Sequence, residues 1–192
     1  LLEDALDFRA QIAGERPLNA LQTIGSGCAF LDADADGNLD VLMIARKPTL
    51  FRGDGAGKFA AALARPLVGR GLAVGDFDND GRQDVLIGDI EGEPLLLRNE
   101  SPARSWVGFS LEGTKSNRRG LGARVSVTAG GRVYVRHCHT DGSYLSASDP
   151  RVHFGLGAAT AIEKVTIQWP SGKTQTLDGV TLNRYHRVTE TP

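Results

Sequence analysis

Long hydrophobic runs are missing from this 192-residue chain. No segment approaches the roughly 20 apolar residues that a helix needs to span a bilayer. The first residues carry no basic-then-apolar leader pattern. Cysteine is scarce: Cys28 and Cys138 alone cannot make a disulfide framework. They could pair only if their Cα atoms came close, and the expectation is two buried strand cysteines acting as small hydrophobes. Aromatic residues amount to 6%, without the interleaving among basic residues that a nucleic-acid surface needs. No Gly-x-Ser-x-Gly elbow, zinc-protease motif or kinase signature set occurs. Neither Gly25-Ser26-Gly27 nor Gly120-Leu121-Gly122 has the glycine spacing and following Lys-Ser/Thr of a phosphate loop.

What the chain does have is glycine, 24 residues of it, with 41% hydrophobic and 23% charged residues. That composition fits a globular protein rich in turns and strands, because glycine supplies the positive φ that tight turns require. The net charge of −1 conceals an asymmetry: residues 1–104 sum to −6 and residues 105–192 to +5. Eight acids of the first part sit in two short loops, so the acidity is local and a bound cation could neutralise it.

Those loops belong to an internal repeat. Gly25-Ser26-Gly27-Cys28-Ala29-Phe30-Leu31-Asp32 aligns with Gly69-Arg70-Gly71-Leu72-Ala73-Val74-Gly75-Asp76 at an offset of 44. An apolar run follows each loop, Val41–Ile44 and Val85–Ile87, and then a further short one, Leu50–Arg52 and Leu95–Arg98. Each unit reads strand, Asp loop, strand, turn, strand. Gly53-Asp54-Gly55-Ala56-Gly57 closes a hairpin into Phe59. Leu1–Ala13 is the one candidate helix, or alternatively an outer strand of the first unit. Beyond Arg104 the pattern changes to short strands separated by Gly and Asn/Asp turns: 106–111, 123–128, 133–137, 152–154, 165–169, 174–177 and 186–189. Such spacing argues an all-β sandwich or barrel, with Trp169 packed in its core. We therefore expect two domains, 1–104 and 105–192.

Both loops have the form Asp-x-Asp-x-Asp-Gly-x-x-Asp. The first offers Asp32, Asp34, Asp36 and Asp40; the second offers Asp76, Asp78, Asp80 and Asp84. Carboxylates at positions one, three and five converge when the chain curls tightly, and Gly37 or Gly81 at position six permits the curl. The backbone carbonyl at position seven, Asn38 or Arg82, completes the expected ligand set. Ca²⁺ takes six to eight oxygens and suits such a loop better than Mg²⁺, which demands a tight octahedron. Zinc or copper would want His or Cys ligands, absent here. An EF-hand would place Glu at position twelve, where this chain has Met43 and Ile87 inside apolar runs. The expectation is two calcium sites that stabilise strand turns.

Weaker candidates remain. His137 and His139 would share a strand face and could begin a transition-metal site with His153 or His186; the plainer reading is surface histidines. Asp141 and Asp149 beside them could support acid–base chemistry. Lys115, Arg118, Arg119 and Arg124 could hold an anionic glycan or acidic partner, or be a solvated loop.

The phrases Gly71-Leu72-Ala73-Val74-Gly75-Asp76-Phe77-Asp78-Asn79-Asp80-Gly81 and Asp84-Val85-Leu86-Ile87 resemble FG-GAP/VCBS repeats, the calcium-loop blades of integrin-like β-propellers. Asn117–Val125, Gly142–Ser146, Val152–Gly157 and Trp169–Gly172 resemble the ASPIC/UnbV domain of the cartilage acidic protein family. The resemblance implies two propeller blades followed by a small β-module, in an extracellular, periplasmic or cell-surface protein. Two blades cannot close a propeller of four to eight, so it implies the C-terminal piece or a subunit of something larger. The implied function is adhesion or protein binding, with the remaining blades or another protein as partner and a glycan as a further candidate. An enzyme of glycan or secondary metabolism, and a structural subunit, are the alternatives. No catalytic residues are assigned.

Overall fold

A computed structural model describes residues 27–44, 49–53, 59–61, 69–89 and 92–192. The expected helix at 1–13 and most of the turn 53–57 lie outside these residues. Among the described residues every regular element is a strand, and none is a helix long and apolar enough to cross a membrane.

Unit 1 is a four-stranded antiparallel sheet in sequential order: β1 (Cys28–Leu31), β2 (Asp40–Met43), β3 (Thr49–Gly53) and β4 (Phe59–Ala61). Unit 2 repeats the arrangement with β5 (Gly69–Gly75), β6 (Asp84–Asp89) and β7 (Leu95–Leu97), and has three described strands. The Asp loops are the β1–β2 and β5–β6 connections. Registers match across the repeat, since Ala29 pairs Leu42 and Ala73 pairs Leu86. Strand alternation then assigns faces: Ala29, Leu31 and Leu42 of unit 1 pack on Leu72, Val74, Val85 and Ile87 of unit 2 in one buried cluster.

The remaining strands form two facing sheets. One runs β10 (Arg132–His137), β9 (Arg124–Ala129), β12 (Ile162–Gln168), β13 (Thr174–Leu177); the other runs β11 (Val152–Gly157), β8 (Ser105–Glu112), β14 (Tyr185–Thr189). All pairings are antiparallel except β14 on β8, which is parallel. Alternating Val125, Val127 and Ala129 on β9 meet Phe109, Phe154, Val165 and Ile167 in a second core. Trp169 joins this core and donates its Nε1–H to Gln175 Oε1 at 3.0 Å. The strands anticipated after residue 104 are thus present, and the two sheets make a sandwich.

The cysteines depart from expectation. Both are free; Cys28 lies on β1 but is half-buried, whereas Cys138 is buried just beyond the end of β10. Because β10 ends at His137, His139 does not share its strand face.

Candidate metal centres at the junction of repeats and sandwich

The two Asp loops fold through the same set of hydrogen bonds. At position one, Asp32 accepts from the amides of Asp36 and Gly37, both at 3.0 Å. Asp76 likewise accepts from Asp80 at 3.0 Å and Gly81 at 2.9 Å. At position five, Asp36 and Asp80 cap the amides of Asn38 at 2.7 Å and Arg82 at 2.9 Å. At position nine, Asp40 and Asp84 reach back to the amides of Ala33 at 2.7 Å and Phe77 at 2.9 Å. These are turns in which short carboxylates satisfy nearby backbone donors. Gly37 and Gly81 take φ of +88° and +87°, and position four is left-handed too, with Ala35 at +55° and Asn79 at +60°. Asparagine tolerates that conformation better than alanine.

The curl brings carboxylates together. One oxygen from each of Asp32, Asp34 and Asp36 lies within 4.8 Å of the others, and the same holds for Asp76, Asp78 and Asp84. Oxygens sharing one Ca²⁺ at 2.3–2.6 Å fall within about 5 Å of one another, so both sets fit a hard cation. Each carboxylate has about four lone-pair sites, so amide bonds leave capacity for a metal. Asp40 stays at position two's amide. Asp80 faces guanidinium groups, contacting Arg82 and lying 4.0 Å from Arg98. Asn38 and Arg82 present their amides to the position-five carboxylates, and the Asn38 side chain donates to Asp36 Oδ2 at 3.0 Å.

Electrostatics separate the sites. Burial pushes the Asp32 carboxyl up to about 7; the Gly37 amide opposes this, Asp36 and Asp40 add to it, and Arg136 is the opposing cation. At Asp78, desolvation raises the carboxyl, but the Arg98 guanidinium 2.7 Å away outweighs it and holds the group below its ordinary range.

Sequence reasoning missed what surrounds the loops: both are pressed against the sandwich. A Cβ at Gly37 would lie 2.6 Å from Tyr134 Cε1, and one at Gly81 2.0 Å from the Trp106 Nε1. A Cβ at Gly155 on β11 would lie 2.1 Å from Asp32 Oδ2. These glycines therefore serve close packing as well as turn geometry. The Tyr185 hydroxyl donates to Asp76 Oδ2 at 2.9 Å, and Arg151 Nη2 to the Asp76 carbonyl at 2.7 Å. His153 Nε2 sits 2.9 Å from the Gly81 carbonyl, and its ring stacks on Trp106. Burial, only partly opposed by Asp76 and the Gly81 carbonyl, drives His153 down to about 4, so it is neutral and the bond is an Nε2–H donation. Arg132 donates to the Asn38 side chain at 3.2 Å, and the Gly157 amide to the Ala35 carbonyl at 3.0 Å. Segment 146–149 also runs beside β5: Ser146 and Ser148 hydroxyls accept from the Leu72 and Val74 amides, and the Asp149 amide donates to the Val74 carbonyl at 2.9 Å. A glycine inside a strand pattern, as at Gly155, was the available signal.

The other candidates do not assemble. His137, His139 and His153 line a cleft of about 300 Å³ between the repeats and the sandwich, but among the described residues the only clusters suited to a metal are the two Asp sets. His139 pairs with Asp141 at 3.0 Å on an exposed edge, and His186 donates its Nε2–H to the Thr181 carbonyl at 2.8 Å. Arg124 donates to Ser126 and Gln168 on its own sheet, and Arg118 and Arg119 are exposed.

Comparison with known proteins agrees with this architecture. Residues 32–87 match the FG-GAP-like repeat family, and residues 113–192 match the family described as ASPIC and UnbV. Over 110 residues, 55% of this chain, the sequence is 31% identical to cartilage acidic protein 1 of Mus musculus and of Xenopus tropicalis, covering 17% of each. The Homo sapiens protein matches at the same identity over 16% of its length. The chain thus spans about a sixth of these relatives. It carries an FG-GAP-like repeat region joined to an ASPIC/UnbV domain, the domain pairing of the cartilage acidic protein family.

Proposed function

We propose that the chain is a calcium-stabilised, extracellular protein-binding module. In this reading calcium sits in both Asp loops and makes them rigid struts between the repeats and the sandwich. The observation that carries it is the position of the loops. The carboxylates that converge at Asp32 and Asp76 are the same groups that pack against Gly155 and Tyr185. A cation there neutralises buried acids and fixes the junction in one step, so binding free energy appears as folded-state stability. The binding function then belongs to the exposed faces that the junction holds in orientation. An extracellular setting fits the likeness to cartilage acidic protein 1 and supplies the millimolar calcium that weak modular sites use.

The test is thermal melting with calcium and with EGTA, alongside calorimetric titration of calcium into the chelated protein. The expected result is a lower midpoint in EGTA and a stoichiometry of two. An unchanged midpoint with no heat of binding would refute the proposal.

A further inference from the structure

In the cleft of about 300 Å³ between the repeats and the sandwich, the acids have partners and one cation does not. Asp32 accepts from the amides of Asp36 and Gly37. Asp149 accepts from the Arg151 amide at 2.9 Å and from its Nε at 2.6 Å, and Asp141 pairs with His139. Arg151 is occupied as well, since Asn79 and the Asp76 carbonyl take its other nitrogens. Arg136 is the exception. It is half-buried, and among the described residues its one hydrogen-bond acceptor is the carbonyl of its neighbour Val135, at 3.1 Å. It acts on Asp32 through space only. A guanidinium has five N–H donors in a fixed fork, so most of its capacity is unused. Those groups open into the cleft and are not sealed in protein. A cation withdrawn from water in this way calls for a counter-charge.

The rest of the lining is also rich in free donors. Gln83 Oε1 accepts from the Asp32 amide at 3.3 Å, which leaves the Gln83 Nε2 donors to the cleft. The Ser148 hydroxyl accepts from the Val74 amide at 3.2 Å and keeps its own proton to give. His137 and His139 are exposed at the rim. Phe30, 65% exposed, and Leu39, 42% exposed, add apolar surface. The volume lies at the lower end of the range for ligand sites, which favour junctions between domains. We infer that this cleft binds an acidic sugar, a hexuronate unit whose carboxylate sits on Arg136 and whose hydroxyls meet Gln83, Ser148 and the rim histidines. The Arg136 fork matches a carboxylate through two parallel N–H···O bonds. The C–H face of the sugar ring lies on Phe30 and Leu39. A neutral sugar would leave Arg136 without a counter-charge, and a bare carboxylate would leave the apolar wall and the remaining donors uncovered.

Saturation-transfer NMR and calorimetric titration of the 192-residue protein test this with sodium glucuronate, glucose, sodium acetate and N-acetylglutamate. The expected result is saturable glucuronate binding with a Kd near or below about 1 mM, and binding at least about tenfold weaker for the other three. Arg136→Gln should abolish glucuronate binding, and Arg136→Lys, which keeps the charge and loses the fork, should weaken it less. Arg136→Gln also removes the cation facing Asp32, so His137→Ala, at an exposed position, is the second variant and should lose affinity a few-fold. Circular dichroism establishes folding of each. No glucuronate binding at about 10 mM overturns the inference, as does undiminished binding by folded Arg136→Gln or by His137→Ala. Equal binding of acetate would make the cleft a bare anion site, and equal binding of N-acetylglutamate would assign it to an acidic peptide; either outcome removes the sugar.

Discussion

The two Asp loops share a sequence pattern, a φ pattern and a hydrogen-bond pattern, yet they sit in different electrostatic surroundings. Loop 2 has its own cations: Arg98 at Asp78, Arg82 at Asp80, and Arg151 on the Asp76 carbonyl. Loop 1 has Asn38 where loop 2 has Arg82; among the described residues its cations are Arg136, which faces the buried Asp32 and is itself depressed by burial, and Arg132 on the Asn38 side chain. The partners differ as well. Loop 2 meets Trp106, His153 and Tyr185, whereas loop 1 meets Tyr134 and the bare backbone of Gly155. Identical ligand spacing therefore does not imply identical dependence on a metal. The loop with fewer protein cations should need calcium more.

The comparison can be broken most forcefully at position six. Gly81→Ala places a methyl inside the Trp106 indole at a φ of +87°, and should cost more than about 3 kcal/mol. Gly37→Ala, at a φ of +88°, meets the edge of the Tyr134 ring at 2.6 Å and the Gly155 carbonyl at 3.3 Å, and should cost about 1–3 kcal/mol. Urea denaturation of both variants measures the difference; equal losses would mean that the loops are buttressed alike.

Metal dependence comes next. A site held at 100 times its Kd contributes about 2.7 kcal/mol. Asp32→Asn should erase more of the calcium-dependent rise in melting temperature than Asp78→Asn, whose carboxylate already has Arg98. A larger loss for Asp78→Asn would reverse the ranking of the loops.

Tyr185→Phe removes one hydrogen bond to a buried carboxylate and should cost about 1.5–3 kcal/mol. Because it joins repeat to sandwich, it should also split a single unfolding transition into two. Calorimetry would show the split, and a single sharp peak would argue that the junction does not depend on this bond.

Near neutrality the smallest effect is pH itself. Glu190 is 1% exposed, and this burial raises its carboxyl. Bonds from Ser116, Ser171, Lys115 and Thr114 outweigh that and hold it at about 2, below the ordinary 4.5. A depressed carboxylate stabilises the fold above its unfolded pKa, so this contribution is complete above about pH 5 and fades as pH falls through 4.5 toward 2. Trp106 and Trp169, the two tryptophans, lie in the sandwich, so acid titration of the melting point by their fluorescence reads this effect. Glu190→Gln should flatten that acid limb, and an unchanged limb would assign it to the Asp loops.

Much of this was legible in the chain. Gly71 to Gly81 and its copy set the turn chemistry, and the alternation in Val125-Ser126-Val127 set a one-sided strand. These are local properties, decided by residues within a few positions of one another. Glu190 was not legible, because its donors lie more than 70 residues away at Thr114–Ser116 and 19 away at Ser171. The same distance hid Tyr185, 109 residues from Asp76.

What the sequence determined by itself was the repeat, the carboxylate spacing and the strand character of the chain, since period, φ preference and ligand type are written in neighbouring residues. What only the tertiary structure decided was where the Asp loops go. Their burial against Trp106, Tyr134 and Gly155 depends on two separately patterned regions meeting in space. That meeting sets the dielectric around each carboxylate, and with it how strongly each loop calls for a cation.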